Sequence, residues 1–513
     1  MNLKSTRAFI PASRPLIGAA VGAALLATSG LTYAVGLSDV GRAVSNIGGN
    51  ALHVRAADAI FVTCAALDGL PTATKTPDQT ALNLRCADMS QQALFLDPDP
   101  ANPAIPPSDT FGLGRLGDTG RQRYFALLQQ FSGEEASAQG RYATEGSVSQ
   151  FKSIAARLSA IRRGNRNNGI AFNLQGVDVY SIADHDSADD NPSYIGGAAG
   201  DADADRGWAW FGNVEYGFGD HDAKTVENEY DAKAFGAVLG VDYAFNDQWV
   251  VGGAINIVRA EIDFDREDAS GIEGVSGGGM DTDSESLSLF MNFTDGAMYA
   301  SAIGSYGQGD IDMKRIINIS LPTSGGAAGV QLPLLATADS NTESTQLGLE
   351  AQVGYTFGEG VTTWDLYGGL SLVDLEIDGF RETGTILGLT FGSQEVDSFE
   401  GFVGASLRHV VSTGAGVFVP YATVEFRNEF DDDGRTISAR YNLTPRAPGE
   451  LFQGETDDFE IPTEDLDSNY FDVAVGVSAQ FGNNLAAFAQ YSTLLALKDT
   501  SAHLFTVGIR GSF

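Results

Sequence analysis

Beyond residue 205 apolar and polar positions alternate with period two. Trp208, Trp210, Val214, Tyr216 and Phe218 fall on one face of the chain, with Asn213 and Glu215 on the other. Leu287, Leu289, Met291 and Phe293 alternate with Ser286, Ser288 and Asn292. Phe471, Val473, Val475, Val477, Ala479 and Phe481 do so against Tyr470, Asp472, Ser478 and Gln480. Successive side chains of a strand point to opposite faces, so this period predicts strands with one apolar side. The pattern predicts twelve of them: 205–219, 230–245, 248–264, 283–293, 297–316, 342–357, 362–382, 394–410, 417–430, 468–481, 485–498 and 501–513.

Connections after even-numbered strands are short: Asn246-Asp247, Thr294-Asp295-Gly296, Phe357 to Val361, Val411 to Gly416 and Gly482-Asn483-Asn484. Most connections after odd-numbered strands are longer and acidic or Gly-rich, notably 265–282, 317–341 and 431–467. An even strand count with alternating long and short connections is the plan of an all-β, antiparallel transmembrane barrel. A soluble sandwich shares the period but turns its apolar face to a core. In lipid an open sheet edge would leave backbone groups unpaired, so these strands must close. The final strand ends at Phe513, with Phe505, Val507 and Ile509 on one face, and this aromatic end is the expected grip for an assembly machine.

Upstream the period is helical. In 35–146, Ala51 to Leu67 and Asp78 to Leu96 carry apolar residues three and four apart, and a further helical stretch runs from Arg121 toward Glu145. Prolines 98, 100, 103, 106 and 107 mark a linker between Leu96 and Asp118. In Ser147 to Arg163, Val148, Phe151, Ile154, Leu158 and Ile161 recur at helical spacing. Lys152, Arg157, Arg162 and Arg163 give that helix four positive charges and no acid. Gly164 to Asp205, rich in Asn, Gly and Asp, reads as a connector.

Charge and composition narrow the partners. The 513 residues carry a formal charge of −36, which excludes nucleic acid as the default partner because phosphate binding needs a cationic face. Mean hydropathy is −0.06, and no segment offers the roughly 20 apolar residues of a spanning helix. Lys4, Arg7 and Arg14, the apolar run Leu16 to Ala27 and Thr32-Tyr33-Ala34 form the pattern of a signal peptide over 1–34. Its removal takes three cations from −36 and leaves −39. In an exported chain the two cysteines, Cys64 and Cys86, read as a disulfide; a redox pair would want a Cys-x-x-Cys spacing.

Catalytic chemistry is not read in the chain: no nucleophile elbow, no His-Glu-x-x-His and no phosphate-cradling Gly-x-x-x-x-Gly-Lys. His53, His185, His221, His409 and His503 are scattered, and the acids around His185 are the sole catalytic candidate worth naming. Asp201-Asp203-Asp205 and Asp431-Asp432-Asp433 lack the Gly and terminal Glu of a calcium loop and read as solvated acidic faces. The expectation is a non-enzyme with no catalytic residue, no metal and no cofactor.

Several stretches together resemble the C-terminal translocator of bacterial autotransporters, the type V secretion family. They are Leu128-Gln129-Gln130-Phe131-Ser132-Gly133-Glu134-Glu135, Gln150-Phe151 through Ala156-Arg157-Leu158-Ser159-Ala160-Ile161-Arg162, Asp378-Gly379-Phe380-Arg381-Glu382-Thr383-Gly384, Val419-Pro420-Tyr421 and the terminal Phe513. The chain departs from that family's pattern at Asn428-Glu429-Phe430, where His-Glu-Phe is common, and at Gly511, where a large apolar residue is usual. The resemblance implies a twelve-stranded barrel with a helix through its lumen. Phe151, Arg157, Leu158 and Arg162 would lie on that helix, the two arginines facing lumenal acids such as Glu215, Asp365 and Asp472. Domains would be a signal peptide (1–34), a short passenger-like helical segment with one disulfide (35–146), a pore-threading helix and connector (147–204) and the barrel (205–513). The implied role is a monomeric barrel in the outer membrane of a Gram-negative bacterium that anchors and translocates its own N-terminal segment. Its partners would be outer-membrane lipid and the export and barrel-assembly machinery, the latter reading Phe505, Val507, Ile509 and Phe513. The alternative is a passive channel or structural barrel whose N-terminal segment stays in the periplasm.

Overall fold

The computed structural model describes residues 37–97, 109–140, 151, 154, 158, 207–224, 226–264, 277–319, 334–358, 360–413, 416–445, 459–481 and 485–511. The expected signal peptide, Arg157, Arg162, Phe513, His185 and the Asp201–Asp205 run lie outside these residues.

Local signals set the helices α1 (Leu37–Asn46), α2 (Ala51–Asp68), α3 (Pro77–Leu96) and α4 (Asp118–Ser132). The side chain of Asn50 accepts from the His53 amide while the His53 ring accepts from the Asn50 amide, a reciprocal cap at the start of α2. Thr76 and Gln79 do the same for α3, with Pro77 at the first helical position where no amide is needed. Cys64 on α2 and Cys86 on α3 form a disulfide, Cα to Cα 5.7 Å. The helix expected to run on toward Glu145 is interrupted after Ser132, where Gly133 turns left-handed (φ 68°) into a short 3-10 turn, Glu134–Ala136, and residues 137–140 are helical again. Part of the expected linker is core instead: Phe111 and Leu113 are buried, and the Phe111 amide donates to Gln92 Oε1 at 2.9 Å.

The barrel comprises β1 (Gly207–His221), β2 (Tyr230–Ala244), β3 (Trp249–Phe264), β4 (Gly277–Asp295), β5 (Met298–Ile319), β6 (Leu334–Phe357) and β7 (Thr362–Ile377). After β8 (Leu389–Phe391) it continues with β9 (Gln394–His409), which β10 (Val411–Thr413) prolongs, and β11 (Gly416–Glu429). Beyond β12 (Thr436–Tyr441) and β13 (Phe459–Pro462) it ends with β14 (Asn469–Phe481), β15 (Leu485–Leu495) and β16 (Thr500–Gly511). β8, β12 and β13 form a separate three-stranded sheet; the remaining strands run antiparallel around a ring of twelve, with β10 in line with β9. β16 pairs β1 (Val214 opposite Val507), which leaves no edge strand.

The two faces differ as the alternation requires. Outward residues are apolar and exposed, Leu289 at 67% and Val353 at 64% among them, so this surface has no protein core to bury it. Aromatic residues ring both ends of that band. Trp208 with Tyr243, Trp249 with Phe293 and Phe357 with Trp364 mark the short-turn end. Phe218 with Phe505, Phe399 with Phe430 and Phe426 with Phe471 mark the other. Inward residues are polar and buried, including Asn256, Ser288, Asn292, Glu350 and Ser478.

Strand bounds depart from the sequence reading where the wall rises beyond the lipid. β4 starts at Gly277, β5 ends at Ile319 and β6 begins at Leu334, so much of the expected 317–341 loop is sheet. Its polar residues carried no apolar stripe because no lipid meets them there. β7 ends at Ile377, short of 382, because Phe380 leaves the wall to stack on Phe391 at 4.5 Å. The expected loops 383–393 and 431–467 hold β8, β12 and β13, whose small sheet sits at the long-connection end and packs against the helical unit.

Candidate functional site

Two places carry the arrangement: the lumen and the cap over its long-connection end. In the lumen, Phe151, Ile154 and Leu158 are helical and fully buried. They cluster with Phe211, Val238, Val250, Ala254, Phe290 and Ile303 of the inner wall. Gly348 makes room for Phe151, since a Cβ there would lie 2.4 Å from the ring.

Glu215, Asp365 and Asp472 all lie on the inward face and are buried. Asp365 is ion-paired with Arg408, and Glu215 accepts from Asn213 Nδ2 at 3.1 Å. Any contact of these acids with Arg157 or Arg162 falls outside the described residues. Two inward cations were not singled out from sequence, Arg408 and Arg427, although the alternation puts both on the inner face. Arg427 holds Glu400 and Glu425 at 2.9 Å each and lies 4.7 Å over the Phe402 ring. Glu425 also accepts from Tyr367 Oη at 2.7 Å, and Tyr470 donates to Glu400. Buried like charges are tolerated only when so paired and hydrogen-bonded.

At the cap, the end of α4 meets the barrel's outer connections. Helix termini leave carbonyls without partners, and here they are met one by one. Ser132 Oγ donates to the Gln129 carbonyl at 2.6 Å, Arg315 Nη1 to that of Gln130 at 2.7 Å, and Tyr441 Oη to that of Phe131 at 2.9 Å. Arg315 on β5 is 1% exposed and forms a forked pair with Glu382, 2.9 Å and 2.6 Å. Gln130 Oε1 accepts from the Asn318 amide at 2.9 Å. Gly133 presses on β8, where a Cβ would stand 2.6 Å from Leu389 Cδ1. The rim adds Gln129 to Asn228 at 2.7 Å, Thr63 to Thr444 at 3.1 Å and an exposed Arg55–Glu460 pair. The Leu128–Glu135 and Asp378–Gly384 stretches, far apart in the sequence, meet around Arg315.

The remaining chemistry is structural in its contacts. His221 is buried between Thr500 Oγ1 at 2.9 Å and Glu227 Oε2 at 3.5 Å, His409 meets Thr362, and His503 meets Tyr491. The string Gly274 to Gly278 does match Gly-x-Ser-x-Gly, contrary to the expectation above; its last two glycines open β4, and Ser276 lies outside the described residues. Asp432 is bonded to Ser468, and no metal-holding group of acids, Cys or His occurs among the described residues.

Comparison with known proteins agrees with this architecture. The Autotransporter beta-domain family model matches residues 209–492. Among solved structures, the translocator domain of the autotransporter NalP from Neisseria meningitidis is similar at 19% identity and TM-score 0.44, covering 60% of this chain and 88% of that one. The β domain of the Bordetella autotransporter BrkA is similar at 17% identity and TM-score 0.37, covering 60% and 99%. The transport unit of AIDA-I from Escherichia coli is similar at 11% identity and TM-score 0.38, covering 60% and 90%. A stretch of 138 residues, 27% of this chain, is 27% identical to Lipase 1 of Photorhabdus luminescens. It spans only 19% of that relative's length. With a closed twelve-stranded barrel and a family model that covers more than half of its length, the chain belongs to the autotransporter β-domain family of outer-membrane barrels.

Proposed function

We propose that this barrel anchors its own helical unit at the cell surface and provided the route by which that unit left the periplasm. The route of the chain supports this reading. The helical unit packs at the long-connection end, Phe151, Ile154 and Leu158 are buried in the lumen, and Gly207 starts β1 at the short-turn end, opposite Ala244. Long connections face outward in barrels of this kind and short turns face the periplasm. The role is non-enzymatic: a barrel seated in outer-membrane lipid, delivered by the export machinery and inserted by the assembly machinery through its last strand. Phe505, Val507, Ile509 and Phe513 are the residues proposed for that recognition, and Phe151, Arg157, Leu158 and Arg162 for the plug.

Asp118, whose side chain is 84% exposed, offers a test. An Asp118→Cys variant on intact cells should react with a membrane-impermeant maleimide. Reaction only after the outer membrane is opened would favour a passive channel with a periplasmic appendage.

A further inference from the structure

We infer that the outer connections of the barrel are a folding template for the helical unit, and that the Leu128–Glu135 segment is the element that docks onto it. The hydrophobic core is the first reason. One continuous cluster joins Leu52, Ile60, Leu82, Tyr124, Leu128 and Phe131 of the helices to Met313, Ile317, Phe380, Leu389, Phe391, Ile437, Tyr441 and Ile461 of the barrel's outer parts. Phe131, 2% exposed near the end of α4, belongs to this shared cluster.

Polar groups give a second reason, independent of the first. The carbonyls of Gln130 and Phe131 end α4 with no helical partner, and their donors are Arg315 and Tyr441, both on the barrel side. A guanidinium at a helix C-terminus also offsets the helix dipole. The dependence is reciprocal, since Arg315 and Glu382 are each 1% exposed and the Gln130 carbonyl fills one of the donors of Arg315. Gly133 completes the fit: its left-handed turn brings the chain against Leu389 and Phe391 at a distance no Cβ permits. Neither half therefore finishes its core or its hydrogen bonds alone.

The coupling stands on these contacts and does not depend on which side of the membrane the cap occupies.

Hydrogen exchange on the full-length protein in detergent tests the coupling, with heat-modifiable migration as the control for barrel integrity. Leu389→Asp changes the template and leaves the helical chain untouched. Amides of α2 and α3 should then exchange roughly ten-fold faster or more, while β1–β7 stay protected. Unchanged protection of α2 and α3 beside an opened β8–β12–β13 sheet would overturn the inference and make the unit an independent domain on a tether. Should Leu389→Asp abolish barrel assembly, Tyr441→Phe removes one hydroxyl and reads the same coupling. Faster exchange across α2–α4 supports the template, and a change confined to β12 refutes it.

Discussion

Arg315 on the fifth strand donates to the main-chain carbonyl of Gln130, 185 residues earlier in the chain, at 2.7 Å. That contact joins the barrel wall to the last turn of the helical unit, and Glu382 holds the same guanidinium. Removing one member of a buried pair leaves an uncompensated charge, a cost of about 3–5 kcal/mol. Arg315→Met should therefore loosen the cap strongly, and Arg315→Met with Glu382→Leu should loosen it less than the single change. Thermal unfolding followed by protease sensitivity of residues 37–140 reads both, with the barrel's heat-modifiable migration held constant.

Acid should weaken the helical unit through His53. Burial, partly countered by Gln129, lowers its pKa from 6.5 to about 4, and the ring stacks on Phe125 at 4.8 Å. Because the folded value lies below the unfolded one, the unfolded state binds more protons between pH 6.5 and 4, and stability falls as pH drops through that window. The loss integrates to about 3 kcal/mol. Asp58 and Asp88 act oppositely, since burial raises both from the ordinary 3.8. Melting at pH 7 and at pH 4.5 should differ in wild type and converge in His53→Gln.

The disulfide should matter to the cap alone. Cys64 and Cys86 close a loop of 22 residues between α2 and α3, and such a bridge contributes about 2–4 kcal/mol. Cys64→Ser with Cys86→Ser should lower the midpoint of helical unfolding in urea while the barrel migrates unchanged. A shift in barrel migration would mean that the bridge supports the whole molecule.

Ion flow should report on the lumen. The inner wall carries Glu350, Asp365, Glu400, Glu425 and Asp472, with Arg408 paired to Asp365 and Arg427 to Glu400 and Glu425. A helix bearing Arg157 and Arg162 would be held by that negative wall, and attraction in a confined, partly wet pore exceeds that on a free surface. Arg157→Glu with Arg162→Glu should raise single-channel conductance in planar bilayers. Conductance equal to wild type would count against a charge-held plug.

Much of the barrel was legible because lipid imposes a period. Wherever a strand crosses the apolar band, residues such as Leu289 and Ser288 must take opposite faces, and most strand bounds there agree within a few residues. The same alternation put Glu215 and Asp472 on the polar face, and the resemblance added Asp365. It failed beyond the band: the outer ends of β5 and β6 meet water and the cap, so Ala336 to Asn341 carried no stripe. The template was hidden for a different reason. β8 has three residues and β13 four, too few for a period, and their role depends on helices more than 250 residues away in sequence. The cap of α3 in Thr76-Pro77-Asp78-Gln79 is a purely local signal, whereas the break at Gly133 comes with Leu389 pressed against it. Arg315 stands at an inward position, yet nothing local told that Glu382 and Gln130 would close on it.

The most direct test of the account is protease shaving of intact cells that carry an epitope inserted near Pro103, with a periplasmic protein monitored alongside. Loss of the epitope while the periplasmic protein stays intact is the predicted result and places the helical unit outside the cell. Survival of the epitope until the outer membrane is permeabilised would contradict display and leave a barrel with its appendage in the periplasm.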